Sequence, residues 1–144
     1  MHLDPETKRS LGLLLLGLAP GLVFLSEGMQ KFLFPDALGT GRFAHLGFTH
    51  PAFWATFTAC FEIGCACLLF IGWRVRLAVI PLFIVMIVAF VTTKRPELVQ
   101  KGFWYTAHDY RTDFLTILSL IIIVLLGPGR WAMDHKMKAG KSIE

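Results

Sequence analysis

Charge is what this sequence has least of. Only 17% of its 144 residues are Asp, Glu, Lys or Arg, against roughly 25% in ordinary soluble chains, while 55% are hydrophobic and the mean hydropathy is +0.61. That balance excludes a soluble globular domain. Cysteine is also scarce: Cys60, Cys65 and Cys67 all fall in one apolar stretch, so they form no disulfide framework of the kind that staples small secreted domains. Nor do they supply the paired ligands of a zinc site, and no metal site is expected. In such a stretch each packs as a small hydrophobe. There is no phosphate-binding loop, haem-attachment motif or nucleophile elbow, and no internal repeat. The length leaves room for one domain, residues 1–144, and no second module.

What is present is a series of apolar segments on the scale of a bilayer, whose hydrocarbon core takes roughly 20 helical residues to cross. Residues 11–34 form the first, with Gly12, Gly17, Pro20 and Gly21 inside it, and the expected spans continue with 52–72 and 77–93. The turn Gly72-Trp73-Arg74-Val75-Arg76 is short, so the second and third spans should be antiparallel neighbours. Between the first two lies a polar connection, Asp36 to Pro51, and after the third a polar, aromatic segment, Lys94 to Arg111. The last apolar run, Phe114 to Leu126, is too short to cross alone. A fourth span over 108–127 must therefore draw His108, Asp109, Arg111 and Asp113 to or below the membrane surface. The fold class that follows is all-α: a four-helix transmembrane bundle in the lipid bilayer.

The apolar run after Lys8 and Arg9 is too long for the core of a signal peptide and no small-residue cleavage site follows it, so it reads as a retained helix. The net charge of +4 gathers beside the apolar segments rather than in one stripe, which points to topology and not to nucleic acid. Lys8, Arg9, Arg74, Arg76, Arg130, Lys136, Lys138 and Lys141 would lie on one side and outnumber Arg42, Lys94, Arg95, Lys101 and Arg111 on the other. The positive-inside rule then places both termini in the cytoplasm. Phe53, Trp54, Trp73, Phe103, Trp104, Tyr105 and Trp131 sit at span ends, as interfacial aromatics do.

Against this background two carboxylates stand out. Glu27 lies about 24 Å along the first span from Leu11, in its outer third, and Lys31 follows at i+4 in the favourable order for a helical ion pair, with Gln30 beside it. That pair can be ordinary interface chemistry, Lys31 reaching outward. Glu62 lies near the middle of the second span with no basic residue on its own helix, so its partner must come from another helix or it must be protonated. An ionisable group at such depth faces a partner or a cavity, and the alternatives are a structural hydrogen bond between helices or a ligand and proton site. On the fourth span Asp109 and Asp113 share a face at i and i+4, while Arg111 points elsewhere around the helix.

Gly21-Leu22-Val23-Phe24, Glu27 through Phe32 and Pro35, then Glu62-Ile63-Gly64 with Leu68-Leu69 and Gly72, and finally Asp113 through Gly127-Pro128-Gly129 with Asp134 resemble the DoxX/DoxD family of small four-helix membrane proteins. The resemblance covers about residues 10 to 135, and Lys31, Glu62 and Asp113 match recurring polar positions of the family, with Glu27 outside that pattern. It implies a multi-pass protein of a bacterial or archaeal cell membrane and a link to redox chemistry, since the family includes the small subunit of a thiosulfate:quinone oxidoreductase.

Two function classes fit these residues. In the first the chain is a redox subunit whose polar pocket takes a quinone head group or a small oxidisable substrate. Glu62 is then the catalytic group that exchanges the accompanying proton, and Lys31, Glu27, Gln30, Arg111, Asp113 and His108 bind the ligand. Quinone is the cofactor in view, and the electrons come from the substrate or from a partner protein of a redox complex. In the second the chain is a non-catalytic anchor or assembly subunit, its buried charges fixing helix register. A small-solute transporter ranks third, because a pathway through so short a chain calls for a homo-oligomer.

Overall fold

The computed structural model describes residues 4–127. Pro128, Gly129, Arg130, Trp131, Asp134, Lys136, Lys138 and Lys141, weighed above, lie outside the described residues. Among those described the secondary structure is helical, with no strand. The order is α1 (Pro5–Leu33), α2 (Thr40–His45), α3 (Pro51–Ile71), α4 (Val75–Ala89), a π-helical turn (Phe90–Lys94), α5 (Arg95–Lys101) and α6 (Phe103–Leu126). The fold is an all-α integral membrane bundle of four long helices: α1, α3, α4 and α6. Three of them, α1, α3 and α4 extended to Thr93, are long and apolar enough to cross a membrane.

Local chemistry sets the helix ends. Asp4 caps α1, its carboxylate accepting from the Thr7 amide at 3.3 Å, and Pro5 occupies the first turn, where its missing N–H costs nothing. The helix therefore begins ahead of the apolar run and continues through Pro20, which is buried. α3 ends at Gly72, whose φ of 70° is left-handed. Its amide donates to the Leu69 carbonyl and that of Trp73 to Leu68, at 3.2 and 3.1 Å, the double bond of a Schellman ending. The chain then re-enters a helix at Val75, and α3 and α4 pack side by side as the short turn requires.

Two polar segments differ from expectation. The connection after the first span contains α2, and the segment from Lys94 to Arg111 is almost wholly helical, broken only at Gly102 with a φ of 83°. Consequently α6 starts at Phe103, well before residue 108. Its first half is helical because its polar residues need no burial to form backbone hydrogen bonds, so hydropathy does not mark its start.

Around the bundle the long helices follow the order α1, α3, α4, α6 and back to α1. The α1–α3 pair is the closest, and Gly28 shows why. A Cβ there would lie 2.7 Å from Ile63 Cγ1 and 2.9 Å from the Ala59 carbonyl oxygen. Ala59 and Ala66 opposite are fully buried, so two backbones approach through small residues, as membrane helices commonly do.

The bundle is packed at one end and hollow at the other. Phe24, Cys65, Ala66, Leu69, Val75, Ala78, Val79, Leu82, Leu120 and Ile123 form a continuous core near the α3–α4 turn. Toward the α2 end the helices separate around a cavity of about 670 Å³.

Candidate functional site

The cavity wall takes residues from every long helix: Val23, Phe24, Glu27 and Lys31 from α1, Trp54, Phe57, Thr58 and Glu62 from α3, Ile84 to Ala89 in part from α4, and Asp109, Thr112, Asp113 and Ile117 from α6. Arg42 and Phe43 of α2, with Leu46 and Phe48 just after it, cover it from one side, and Phe90, Thr92 and Thr93 of the π-helical turn from another. Most of this surface is aliphatic or aromatic, and the charged groups converge within it.

At the floor of the polar part lies one tight ion pair. Lys31 Nζ stands 2.6 Å from Glu62 Oε2, and both side chains are nearly out of reach of the surroundings, at 9% and 3% exposed. The same ammonium lies 3.7 Å from Glu27 Oε2, whose side chain is 50% exposed, and donates to the Glu27 backbone carbonyl at 3.3 Å. Lys31 thus bridges an exposed carboxylate and a buried one. The approach of α1 to α3 at Gly28, one turn away, brings the ammonium within reach of α3. In a low-dielectric interior such a charge-assisted hydrogen bond is short and strong.

Above the pair, Arg42 Nη2 donates to Thr93 Oγ1 at 3.1 Å, tying α2 to the end of α4. Thr92 Oγ1 donates to the Val88 carbonyl at 2.7 Å, absorbing a backbone acceptor where the π-helical turn disturbs the regular ladder. Single π turns recur at functional sites, and this one contributes Phe90, Thr92 and Thr93 to the wall.

Of the residues singled out in the sequence, Glu27, Lys31, Glu62, Asp109 and Asp113 come together around the cavity. Gln30, His108 and Arg111 lie outside its wall: Gln30 donates to Ser26 Oγ at 2.7 Å, and His108 and Arg111 are exposed on α6. The pairing differs in one respect. Lys31 was the expected local partner of Glu27, yet its nearer carboxylate is that of Glu62, because rigid packing of α1 on α3 fixes the distance across helices while Glu27 is free to turn outward. Arg42 is added. Asp109 was legible as the i−4 neighbour of Asp113; Arg42 carried no signal beyond being a cation in a connection rich in glycine. Cys65 is buried in the core, and Cys60 and Cys67 are exposed on α3. Among the described residues no three His, Cys, Asp or Glu side chains converge as metal ligands.

Comparison with known proteins agrees with the fold. An uncharacterized membrane protein of Mycobacterium tuberculosis, Rv3486, is 44% identical over 123 residues, covering 81% of this chain and 76% of the relative. No solved structure gives a significant match. The sequence pattern of the DoxX family matches residues 12–95, which include Lys31, Arg42 and Glu62 and stop short of α6. The match takes in more than half of the chain, and the chain belongs to the DoxX family of membrane proteins.

Proposed function

We propose that the chain is a quinone-linked redox subunit of a bacterial cell membrane, binding a quinone head group in the cavity at the α2 end of the bundle. The observation that carries this reading is the Lys31–Glu62 pair set into the wall of a mostly apolar, aromatic cavity. A quinone ring asks for that combination: flat apolar surface for its faces and a cationic donor for a carbonyl oxygen. Trp54, Phe57 and Phe90 offer the surface, and the Lys31 ammonium offers the donor. Reduction to the quinol adds two electrons and two protons, and Glu62, hydrogen-bonded to Lys31, is positioned to exchange a proton at the oxygen that Lys31 holds. The electrons come from a partner protein or from a reduced substrate. Asp113 and Asp109 border the same space from α6. The bias of Lys and Arg toward the termini supports an orientation with the α2 end on the outer face.

The test is saturable quinone binding by the purified protein in nanodiscs. The wild type should bind, Glu62→Gln and Lys31→Met should each weaken binding by about tenfold or more, and Arg111→Gln should bind like wild type. No saturable binding, or binding unchanged in folded Glu62→Gln, overturns the reading.

A further inference from the structure

The cavity is not closed on all sides, and the position of its opening bears on what it admits. α3 and α4 are locked together near their turn by Cys65, Leu69, Val75, Ala78 and Leu82. Beyond Leu82 both helices contribute to the cavity wall. Trp54 and Phe57 on α3 and Ile84 and Val88 on α4 belong to the cavity wall and are exposed rather than buried. Wall side chains this exposed lie where the cavity opens.

Helical spacing places these rims opposite one another. On α3, Trp54 and Thr58 fall on the line of Phe61 and Cys65, which turns toward α4, and away from Ala59 and Ile63, which meet Gly28 of α1. On α4, Ile84 and Val88 are one turn apart on a shared face. Over the top of the gap α2 packs on α3 and Arg42 reaches across to Thr93. The slot is therefore roofed by a polar contact and floored by the core, and it faces sideways from a stretch of α4 that is apolar enough to lie in hydrocarbon.

We infer that the slot between α3 and α4 is a lateral portal, through which a bilayer-dissolved amphiphile brings its polar head to Lys31 and Glu62 while its hydrocarbon tail stays in the slot. This rests on the proposed quinone site and narrows its ligand class: a lipid-borne molecule with a tail, not a water-borne anion. Trp54, Phe57, Ile84 and Val88 give the tail an apolar passage, which a small hydrophilic substrate would have to cross against its hydration.

Two substitutions of equal size separate the portal from a general effect on α4. Val88→Trp fills the slot, whereas Ile87→Trp adds the same bulk to a neighbouring exposed position outside the cavity wall. Binding is measured in nanodiscs with an isoprenoid-tailed naphthoquinone and with its tailless 2-methyl analogue, and thermal unfolding checks that each variant is folded. The expected result has three parts. The tailed quinone binds the wild type about tenfold or more tighter than the tailless one; Val88→Trp weakens the tailed quinone by a larger factor than the tailless one and so removes that advantage; Ile87→Trp matches wild type. Equal effects of Val88→Trp and Ile87→Trp, or equal loss of both ligands in Val88→Trp, overturn the portal. If tailless and tailed quinones bind the wild type alike and both depend on Glu62, the quinone site stands and the portal falls; if neither binds, both fall.

Discussion

Lys31 and Glu62, on different helices, are joined by a hydrogen-bonded ion pair of 2.6 Å. The bond crosses the α1–α3 interface one turn beyond Gly28, where an added Cβ would meet the Ala59 carbonyl oxygen at 2.9 Å. One contact between small residues and one contact between charges therefore depend on the same helix approach.

The first prediction concerns what the pair contributes. Removing one member strands a buried charge, whereas removing both leaves an apolar site; a broken buried pair costs about 3 to 5 kcal/mol and an apolar replacement costs little or stabilises. Lys31→Met should destabilise the protein by about 3 kcal/mol, and Lys31→Met combined with Glu62→Leu should return to within about 1 kcal/mol of the parent. Glu27→Gln should cost less than about 1 kcal/mol, since its carboxylate is 50% exposed and 3.7 Å from the ammonium. Unfolding titrations in mixed micelles measure all three. A Glu27→Gln cost as large as that of Lys31→Met would mean that Lys31 serves Glu27 instead.

Glycine substitutions on the two helices should have opposite signs. Gly28→Ala drives a methyl against the Ala59 carbonyl and Ile63, and overpacking of that kind costs about 1 to 3 kcal/mol. By moving α1 outward it should also lengthen the Lys31–Glu62 bond and weaken ligand binding in the cavity. Gly64→Ala on α3 meets nothing within 4 Å, so it should be neutral or stabilise by up to about 1 kcal/mol through helix propensity. The same titrations read both, and destabilisation by Gly64→Ala equal to that by Gly28→Ala would remove the special role given to the close approach.

The architecture was legible where hydropathy alone decides it. α1, α3 and α4 follow from apolar runs, and the tight α3–α4 turn from Gly72. Glu62 was legible as a residue in need of a partner on another helix, but the partner was hidden by Glu27, which stands at the right spacing on the same helix as Lys31. Sequence spacing reports only neighbours along one helix; which side chains meet across helices is set by Gly28 and Ala59, whose small size has meaning only in the packed pair. α2 and the first half of α6 escaped for a different reason. Their polar residues form helix without an apolar face to announce it, so Arg42 and the true start of α6 appear only when the chain is folded.

Arg42 leads to the last prediction, because its bond to Thr93 at 3.1 Å fastens α2 to the π-helical turn at the end of α4. A charge-assisted hydrogen bond of this kind is worth about 1.5 to 3 kcal/mol, and α2 has no buried residue of its own to hold it down. Breaking the bond should therefore release α2 locally rather than unfold the bundle. In Arg42→Gln and Thr93→Val, amide exchange should quicken at residues 40–46 by about tenfold or more, while the protected amides of α3 around Glu62 keep their wild-type rates. The double variant should be no faster than either single one, since both remove the same bond. Additive effects, or faster exchange along α3 as well, would show that α2 is held by its packing on α3 and that Arg42 serves the cavity only.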